Sequence, residues 1–323
     1  MRAPEFWYDD NATARALIPP TYLWRAAGWV HRRLAQGSRV AVPVVCVGNL
    51  VVGGAGKTPL AIAIARHLAS RGRTPHFITR GYGGRARGPL RVDPAVHSAR
   101  DVGDEPLLLA AVAPTWVARN RLKGAIAAMV AGADIVVMDD GFQNRSLVKD
   151  LSILAVDGGY GFGNARVLPA GPLREPLIGG LRRADAVVVI GTDGRGSRNR
   201  VRRFCQVYEA HLIPRENSAV AGKRVFAFAG IGRPAKFYAT LRQMGCTVAE
   251  TRDFPDHHRY APDEIMRLCE AAVEQGAVPV TTEKDFVRLP EEARPMVECV
   301  FVDIEWASPQ TPDQLLAPVL RDG

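Results

Sequence analysis

Short apolar runs that alternate with helical patterns are the feature of this sequence that most constrains its fold. From residue 40 onward the runs include "VAVPVVCVG", "DIVVMDDG", "LSILAVDGG" and "ADAVVVIG", and patterns such as "TPLAIAIARHLASRG" lie between them. Strands that are apolar on both faces and separated by helices are typical of a parallel sheet covered on both sides. The sequence therefore predicts an α/β fold built on a mostly parallel sheet.

The chain is long enough for more than one such unit. Because 323 residues exceed the usual size of a single hydrophobic core, we expect two domains. The arginine-rich stretch "TDGRGSRNRVRRFCQ" indicates a boundary or a connecting hairpin, and a second, shorter α/β pattern that includes a strand "VECVFVDIEW" follows it. We predict an N-terminal helical region at 1–36, a larger α/β domain at 37–203 and a smaller α/β domain at 204–323.

The charge and cysteine content limit the environment of the protein. Lys and Arg number 42 against 33 Asp and Glu, a net charge of +9 that favours an anionic partner: nucleic acid, a membrane surface or a phosphorylated substrate. Five widely spaced cysteines without a C-x-x-C pair argue against a disulfide framework or a zinc site. No apolar run has the length of a transmembrane helix, and the N-terminus lacks the apolar core of a signal peptide. We therefore expect a cytosolic protein that can still lie against a membrane.

The stretch "TYLWRAAGWVHRRLAQG" predicts an amphipathic helix that ends near Gly37. One face of this helix is an apolar stripe formed by Leu23, Ala27, Val30 and Leu34. Trp24 and Trp29 flank the stripe, and Arg25 and Arg32 lie opposite it. This composition is typical of a helix in a membrane interface. A helix packed on its own domain shows the same pattern, so both interpretations stay open.

A glycine-rich loop, "NLVVGGAGKTP", connects the first strand to the following helix. Backbone amides and the positive end of a helix receive phosphates in such a context, although Val51 replaces the opening glycine of the usual pattern. We expect Lys57 to reach the β- and γ-phosphates and the Thr58 hydroxyl to ligate Mg²⁺. The predicted nucleotide-binding residues are Val51, Val52, Gly53, Gly54, Ala55, Gly56, Lys57 and Thr58.

A phosphate-binding loop also requires an acid at the end of a neighbouring strand. In "ADIVVMDDG" the apolar residues are followed by Asp139 and Asp140. A double aspartate at a strand end is by itself more often a turn, but beside the loop it favours a magnesium site. We predict Asp139 as the first Mg²⁺ ligand and Asp140 as the second.

Three classes of nucleotide-dependent protein could contain a loop of this kind. A membrane-positioning ATPase of the ParA/MinD type has a lysine where this chain has Val52, which counts against that class. A GTPase requires N-K-x-D, and the nearest string, "TTEKD", lacks the spacing. The third class, a kinase, must place a base beside an acceptor hydroxyl.

Two clusters supply candidates for that base. "DVGDEPLLLA" places Asp104 and Glu105 at a helix start, where such residues commonly serve as caps. "DFPDHHRY" groups Asp256, His257 and His258. No third ligand at helical spacing supports a metal site there, so a histidine poised against a carboxylate is the more economical interpretation.

The motifs together resemble those of the tetraacyldisaccharide 4′-kinase family, the lipid A kinases of Gram-negative bacteria. "VGGAGKTP", "RGYGG", "GDEP", "DDGFQ", "LPAGPLREP", "FPDHH" and "TTEKD" occur in the family's order, from about Pro4 to Asp303. The family often has Thr or Ser in place of Val51 and Thr in place of Ala55, which affects only the expected affinity. The resemblance implies two α/β/α domains that close over ATP and Mg²⁺.

The resemblance also implies site residues. Asp104 matches the carboxylate that takes the acceptor proton, and the histidine of "FPDHH" that assists it is assigned to His257, with His258 as the second choice. Lys57 and Asp139 complete the predicted catalytic set. Polar positions near the metal and the phosphates match Glu175, a further candidate metal ligand, and Gln143. Plausible phosphate contacts are Arg80 and Arg121.

The activity implied by the resemblance is transfer of the γ-phosphate of ATP to the 4′-hydroxyl of a tetraacyldisaccharide 1-phosphate, giving lipid IVA. The implied location is the cytoplasmic face of the bacterial inner membrane, where the lipid substrate and an anionic surface are the expected partners. We expect neither nucleic acid nor a stable protein partner. The alternative is a membrane-associated ATPase switch of the ParA/MinD type that phosphorylates nothing.

Overall fold

A computed structural model describes residues 4–34, 37–215 and 219–320, with the backbone alone at positions 25, 27 and 29–34. The strands of the described residues are β1 (Val44–Gly48), β2 (Pro75–Thr79), β3 (Leu90–Arg91), β4 (Thr115–Val117), β5 (Ile135–Asp139), β6 (Leu151–Asp157), β7 (Ala186–Ile190), β8 (Gln206–Pro214), β9 (Arg224–Ala229), β10 (Thr247–Asp253), β11 (Val278–Thr282), β12 (Glu298–Val300) and β13 (Val302–Trp306). The α-helices are α1 (Ala12–Ala16), α2 (Ile18–Leu34), α3 (Lys57–Ser70), α4 (Ala99–Val102), α5 (Asp104–Ala110), α6 (Arg121–Val130), α7 (Leu177–Leu181), α8 (Ser197–Val201), α9 (Pro234–Gln243), α10 (Pro262–Glu274), α11 (Glu283–Phe286) and α12 (Thr311–Leu320).

The larger of two sheets has nine strands in the order β13-β8-β7-β6-β1-β5-β2-β4-β3. Its strands run parallel except at the two edges, where β3 and β13 pair antiparallel with β4 and β8. Alternate residues of β1 enter opposite cores: Val45 and Val47 pack with α3, whereas Val44 and Cys46 share a core with residues of α6. Helices therefore cover both faces, and the predicted α/β class is confirmed.

The carboxyl edge of this sheet brings the predicted motifs together. β1 lies between β5 and β6, and Val47 of β1 pairs in register with Asp139 of β5. The loop that follows β1 and the acid that ends β5 therefore leave the same edge of the sheet. Open α/β sheets bind their ligands at this edge, outside the carboxyl ends of the strands.

The smaller sheet has four parallel strands in the order β10-β9-β11-β12. Phe226 and Phe228 of β9 pack with α10, and Val225 and Ala227 of the same strand pack with α9. We refer to residues 219–300, which contain this sheet and its helices, as the small-sheet segment.

The chain crosses between the two sheets twice. The predicted boundary at 203/204 falls just before β8, which belongs to the large sheet, and the chain returns to that sheet at β13 and α12. The predicted hairpin in "TDGRGSRNRVRRFCQ" is wrong, because β7 and β8 are parallel and α8 connects them. The predicted single strand "VECVFVDIEW" divides at Phe301 into β12 of the small sheet and β13 of the large one. The division into domains stays a prediction.

The N-terminal helices contact the segment that contains "LPAGPLREP". The Thr21 hydroxyl donates to the carbonyl of Val167 (3.3 Å), and the Trp24 indole Nε1 donates to the carbonyl of Arg174 (3.1 Å). The predicted apolar and basic residues Ala27, Val30, Leu34, Arg25, Arg32 and Trp29 have side chains outside the described set. Within the described ranges, no helix combines the length and the hydropathy needed to cross a bilayer.

Candidate active site

The predicted phosphate-binding loop lies between the end of β1 at Gly48 and the start of α3 at Lys57. Gly53 and Gly56 adopt positive φ angles of 113° and 79°, in the region that favours glycine. A Cβ added at Gly53 or Gly54 would meet nothing within 4 Å, whereas at Gly56 it would come within 2.7 Å of Ile190 Cδ1. The loop is thus open on one side and closely packed at its base, which is the form of a cradle for an anion.

The first part of the loop is held by pairing with "AGPLREP". The amide of Val52 donates to the carbonyl of Pro172 (2.9 Å), and Val51 forms an isolated antiparallel bridge with Leu173. Val51 is 6 % exposed. Its side chain therefore packs inside the protein, and the substitution of the usual glycine leaves the outward side of the loop unobstructed.

Lys57 and Thr58 face the two acids at the end of β5. Thr58 Oγ1 donates to Asp139 Oδ2 (2.9 Å), and Lys57 Nζ lies 3.8 Å from Asp140 Oδ1. Burial lowers the pKa of Lys57 and raises the pKa of Asp139 to about 6. Burial alone would raise the pKa of Asp140, but the charges of Lys57 and Arg174 outweigh it and lower that pKa. The site therefore holds strong, mutually compensating charges.

The oxygen atoms at Asp139 and Thr58 are suited to bind a magnesium ion. Asp139 Oδ1 is buried and has no hydrogen-bond partner among the described residues, and Asp139 Oδ2 lies beside the Thr58 hydroxyl. One carboxylate and one hydroxyl are the protein ligands that Mg²⁺ commonly takes when phosphates and waters complete its shell. No cluster of three or more His, Cys, Asp or Glu suited to a metal occurs in the described part of the chain.

Glu175, the other predicted metal ligand, is engaged elsewhere. Its two carboxylate oxygens accept from Arg183 Nη1 and Nη2, both at 2.8 Å, and Oε1 also accepts from Gln143 Nε2 (3.2 Å). A metal at Glu175 would have to compete with this bidentate ion pair. Gln143 also donates to the carbonyl of Asn49 (3.0 Å), so it connects "DDGFQ" and "LPAGPLREP" to the base of the loop.

Asp104 and His257 meet although they come from different sheets. Asp104 begins α5, is 6 % exposed, and shares a hydrogen bond of 2.7 Å between its Oδ2 and His257 Nδ1. This bond to Asp104 raises the pKa of His257 above its ordinary value. His257 has a positive φ of 60° and donates its backbone amide to the carbonyl of Gly230 (3.1 Å), so the turn is shaped to present the ring.

His258, the second choice in the sequence, faces a different partner. Its Nε2 lies 2.8 Å from Glu264 Oε2, and its ring stacks on Phe254 at a centroid distance of 4.7 Å. Within the structure, His257 is the histidine that contacts Asp104.

Two cations that the sequence reasoning did not single out also reach the acids of α5. Arg288 Nε donates to Asp104 Oδ2 (2.7 Å), and Lys284 Nζ donates to Glu105 Oε1 (2.5 Å). The charge and hydrogen bond of Lys284 outweigh the opposing effect of burial and lower the pKa of Glu105 to about 2. The available signal was the spacing of four residues from Lys284 to Arg288, which places both on one side of a helical turn.

The two arginines predicted as phosphate contacts lie near each other. Arg121 is buried, and its Nη1 donates to the carbonyl of Ala118 (2.6 Å), while Arg121 Nε has no hydrogen-bond partner among the residues described. Burial, followed by the charge of Arg80, lowers the pKa of Arg121. Arg80 follows β2 and is exposed. Their roles as phosphate contacts stay predictions.

The comparison with known families covers nearly the whole chain. Residues 13–321 match the family model described as tetraacyldisaccharide-1-P 4′-kinase. The chain belongs to this family. Relatives named tetraacyldisaccharide 4′-kinase include that of Rhodospirillum centenum, 51% identical over 330 residues, covering 99% of this chain and 97% of the relative. The relative from Gluconobacter oxydans is 46% identical over 317 residues, covering 98% and 97%.

A solved member of the family shares the fold. The crystal structure of LpxK from Aquifex aeolicus in complex with ATP has a TM-score of 0.75 and 26% sequence identity, and the match covers 95% of this chain and 99% of that one. The resemblance inferred from the motifs is therefore confirmed. Membership of the 4′-kinase family favours the kinase prediction over an ATPase switch of the ParA/MinD type.

Proposed function

We propose that this protein transfers the γ-phosphate of ATP to the 4′-hydroxyl of a tetraacyldisaccharide 1-phosphate and so forms lipid IVA. The relatives' names support the acceptor, and the family's solved ATP complex supports the nucleotide. The observation that carries the proposal is the hydrogen bond between the buried carboxylate of Asp104 and His257 (2.7 Å). Burial is the main cause of the raised pKa of Asp139, and the charge of Glu105, the residue after Asp104, raises it further. The start of α5 therefore lies close enough to the predicted magnesium ligand to affect its charge.

The transfer requires a base and a sink for the charge on the phosphates. Asp104 accepts the proton of the 4′-hydroxyl as the new oxygen–phosphorus bond forms, and the bond from the γ-phosphorus to the bridging oxygen breaks to release ADP. Both hydrogen bonds from His257 and Arg288 end on Asp104 Oδ2, so Oδ1 takes part in neither and is the oxygen that faces the acceptor. His257 orients the carboxylate of Asp104 through their hydrogen bond and stabilises it while it takes up the proton.

The phosphates are received by the loop and Lys57. Backbone amides of Gly53 to Gly56 and the N-terminus of α3 supply fixed positive dipoles, and Lys57 adds a full charge. Thr58 and Asp139 would hold Mg²⁺, with Asp140 nearby and Glu175 as a further candidate. When bound, the ion neutralises charge on the β- and γ-phosphates.

The site is completed by residues from both sheets. Asp104 belongs to the large-sheet part of the chain, whereas His257 comes from the small-sheet segment. Because the base draws on both parts, it is complete only while they are docked, and their separation would limit wasteful hydrolysis of ATP.

The acceptor is a membrane lipid, so the enzyme must reach the bilayer surface. Tyr22, Leu23 and Trp24 on α2 are exposed apolar side chains. Aromatic and aliphatic side chains of this kind, with a net charge of +9, suit binding to the anionic cytoplasmic face of the inner membrane. The protein would then act as a peripheral membrane enzyme, without nucleic acid or a stable protein partner.

One assay separates this proposal from an ATPase switch. Purified protein is incubated with γ-labelled ATP, Mg²⁺ and the tetraacyldisaccharide 1-phosphate in detergent micelles, and the lipid fraction is analysed for label. We expect labelled lipid from the unchanged protein and labelling at least about 10²-fold slower with Asp104→Asn. Release of labelled inorganic phosphate with no labelled lipid would overturn the proposal and support the switch.

A further inference from the structure

Arg288, in the small-sheet segment, donates a hydrogen bond to Asp104, and one of its guanidinium nitrogens makes no hydrogen bond to the described residues. Its side chain is 3 % exposed, and its Nε donates to Asp104 Oδ2 (2.7 Å). Its Nη1 donates to the carbonyl of Gly230 and to Asp285 Oδ1, both at 3.0 Å. Arg288 Nη2 is buried without a hydrogen-bond partner in the described part of the chain.

The guanidinium of Arg288 is anchored by a network of hydrogen bonds that also includes the backbone near His257. Asp285 Oδ1, which holds Arg288 Nη1, also accepts from the amide of Gly230 (2.9 Å) and from the hydroxyl of Tyr260 (2.8 Å). The Gly230 carbonyl, in turn, accepts from the amide of His257 (3.1 Å). Arg288 and His257 are therefore fixed to the same backbone position, and they reach Asp104 as one unit.

The two carboxylate oxygens of Asp104 differ in their hydrogen bonding. Nε and Nη2 of an arginine form a fork that can hold both oxygens of a carboxylate. Here only Nε is used, and it shares Oδ2 with His257 Nδ1, while Nη2 stays idle. Because both hydrogen bonds from Arg288 and His257 end on Oδ2, neither of them occupies Oδ1 of Asp104.

We propose that Arg288 is a positioning residue for the base: it fixes Asp104 through Oδ2, so that Oδ1 stays available to the acceptor hydroxyl. This inference rests on the proposed function, because it assigns Arg288 a part in the proton transfer from that hydroxyl. Arg288 acts through Asp104.

The neighbouring Lys284 shows that the arrangement is specific. Lys284 lies four residues before Arg288 and pairs with Glu105, the acid that follows Asp104. Each acid at the start of α5 thus receives its own cation from one short stretch of the small-sheet segment.

The test compares Arg288→Ala and Arg288→Lys in the lipid phosphorylation assay. Because small displacements of a reacting group cost about 10²-fold, we expect a loss in kcat of about that size in Arg288→Ala, with an unchanged KM for ATP. Added guanidinium, at concentrations that do not unfold the protein, should raise the kcat of Arg288→Ala in a saturable manner. Arg288→Lys keeps the charge, but its single nitrogen cannot occupy both the Nε and the Nη1 positions of the guanidinium, so it should fold and still show a lowered kcat.

Lys236→Gln is the matched control. Lys236 of the small-sheet segment forms an ion pair with Asp157 at the end of β6 in the large sheet. Lys236→Gln therefore removes an ion pair between the same two parts of the chain but leaves Asp104 and its partners intact. Its kcat should show no response to guanidinium. Normal kcat in Arg288→Lys, or a lowered kcat in a folded Arg288→Ala that guanidinium does not raise, would overturn this proposal alone. Absence of lipid phosphorylation by the unchanged protein would overturn the proposed function and this proposal with it.

Discussion

Asp104 and His257 are separated by 153 residues of chain, and their side chains meet at 2.7 Å across the junction of the two sheets. Asp104 is placed by the start of α5 on the large-sheet side, and His257 by a turn with positive φ in the small-sheet segment. A base assembled from both sides can exist only while the two parts are docked. This relationship connects the fold to the timing of the proposed reaction.

Replacement of the base should separate chemistry from nucleotide binding. In Asp104→Asn the side chain keeps its size but cannot take the acceptor proton, so we expect kcat to fall by about 10²- to 10⁴-fold. ATP affinity, measured by titration with a fluorescent ATP analogue, should stay nearly unchanged, because we propose that the phosphates contact the loop and not Asp104. A parallel loss of ATP affinity would contradict the assignment of Asp104 to the acceptor.

The Asp104 contact should make the contribution of His257 to stability depend on pH. Its pKa is raised above the ordinary 6.5 in the folded protein. The stabilisation by protonated His257 is therefore fully present below about pH 6.5 and is lost as the pH rises through the folded pKa. The difference in Tm between the unchanged protein and His257→Gln should narrow between pH 6 and pH 9, and a constant difference would contradict this account.

Burial of Asp139 predicts that its removal stabilises the metal-free protein. The pKa of Asp139 rises with burial from 3.8 to about 6, so its ionisation opposes folding by about 3 kcal/mol at most. The cost is absent below pH 3.8, grows as the pH rises to about 6 and is constant above it. Asp139→Asn should therefore show a higher Tm than the unchanged protein at pH 8 in EDTA, and the gain should shrink towards pH 4.

The same variant tests the metal site without an activity assay. Mn²⁺ binding in the presence of ADP, followed by electron paramagnetic resonance, should be weakened in Asp139→Asn and Thr58→Ala. Protonation of Asp139 should also weaken Mn²⁺ binding by the unchanged protein as the pH falls below about 6. Equal Mn²⁺ affinity in all three proteins would place the metal elsewhere.

Membrane binding by α2 can be tested with two matched substitutions. Leu23 on α2 and Val273 on α10 are exposed to similar extents, 76 % and 74 %. Leu23→Glu should weaken sedimentation with phosphatidylglycerol vesicles by roughly tenfold, because a buried aliphatic side chain contributes about 1.5 kcal/mol or more. Val273→Glu should have no effect. Equal sedimentation of both variants and the unchanged protein would argue that α2 does not enter the interface.

Local patterns in the sequence were sufficient to predict the loop and the strand ends that form the candidate nucleotide site. β1 and β5 are apolar on both faces because both faces are covered, and the glycines after β1 occur where positive φ and close approach are needed. Each of these requirements acts over a few residues, so Lys57, Thr58 and Asp139 could be assigned before the structure was known. The motif "FPDHH" likewise identified the histidines, but the choice of His257 came from its position after Asp256.

Other features depend on how distant parts of the chain pack. The division of "VECVFVDIEW" at Phe301 could not be predicted, because a strand's local pattern does not state which sheet it joins. Arg288 reaches Asp104 across 184 residues, and Lys284 reaches Glu105 across 179. The sequence by itself determined the strands, the loop and the chemical groups, since these follow from local periodicity and backbone freedom. The tertiary structure alone decided which cation meets which acid, since that depends on the docking of two separately formed sheets.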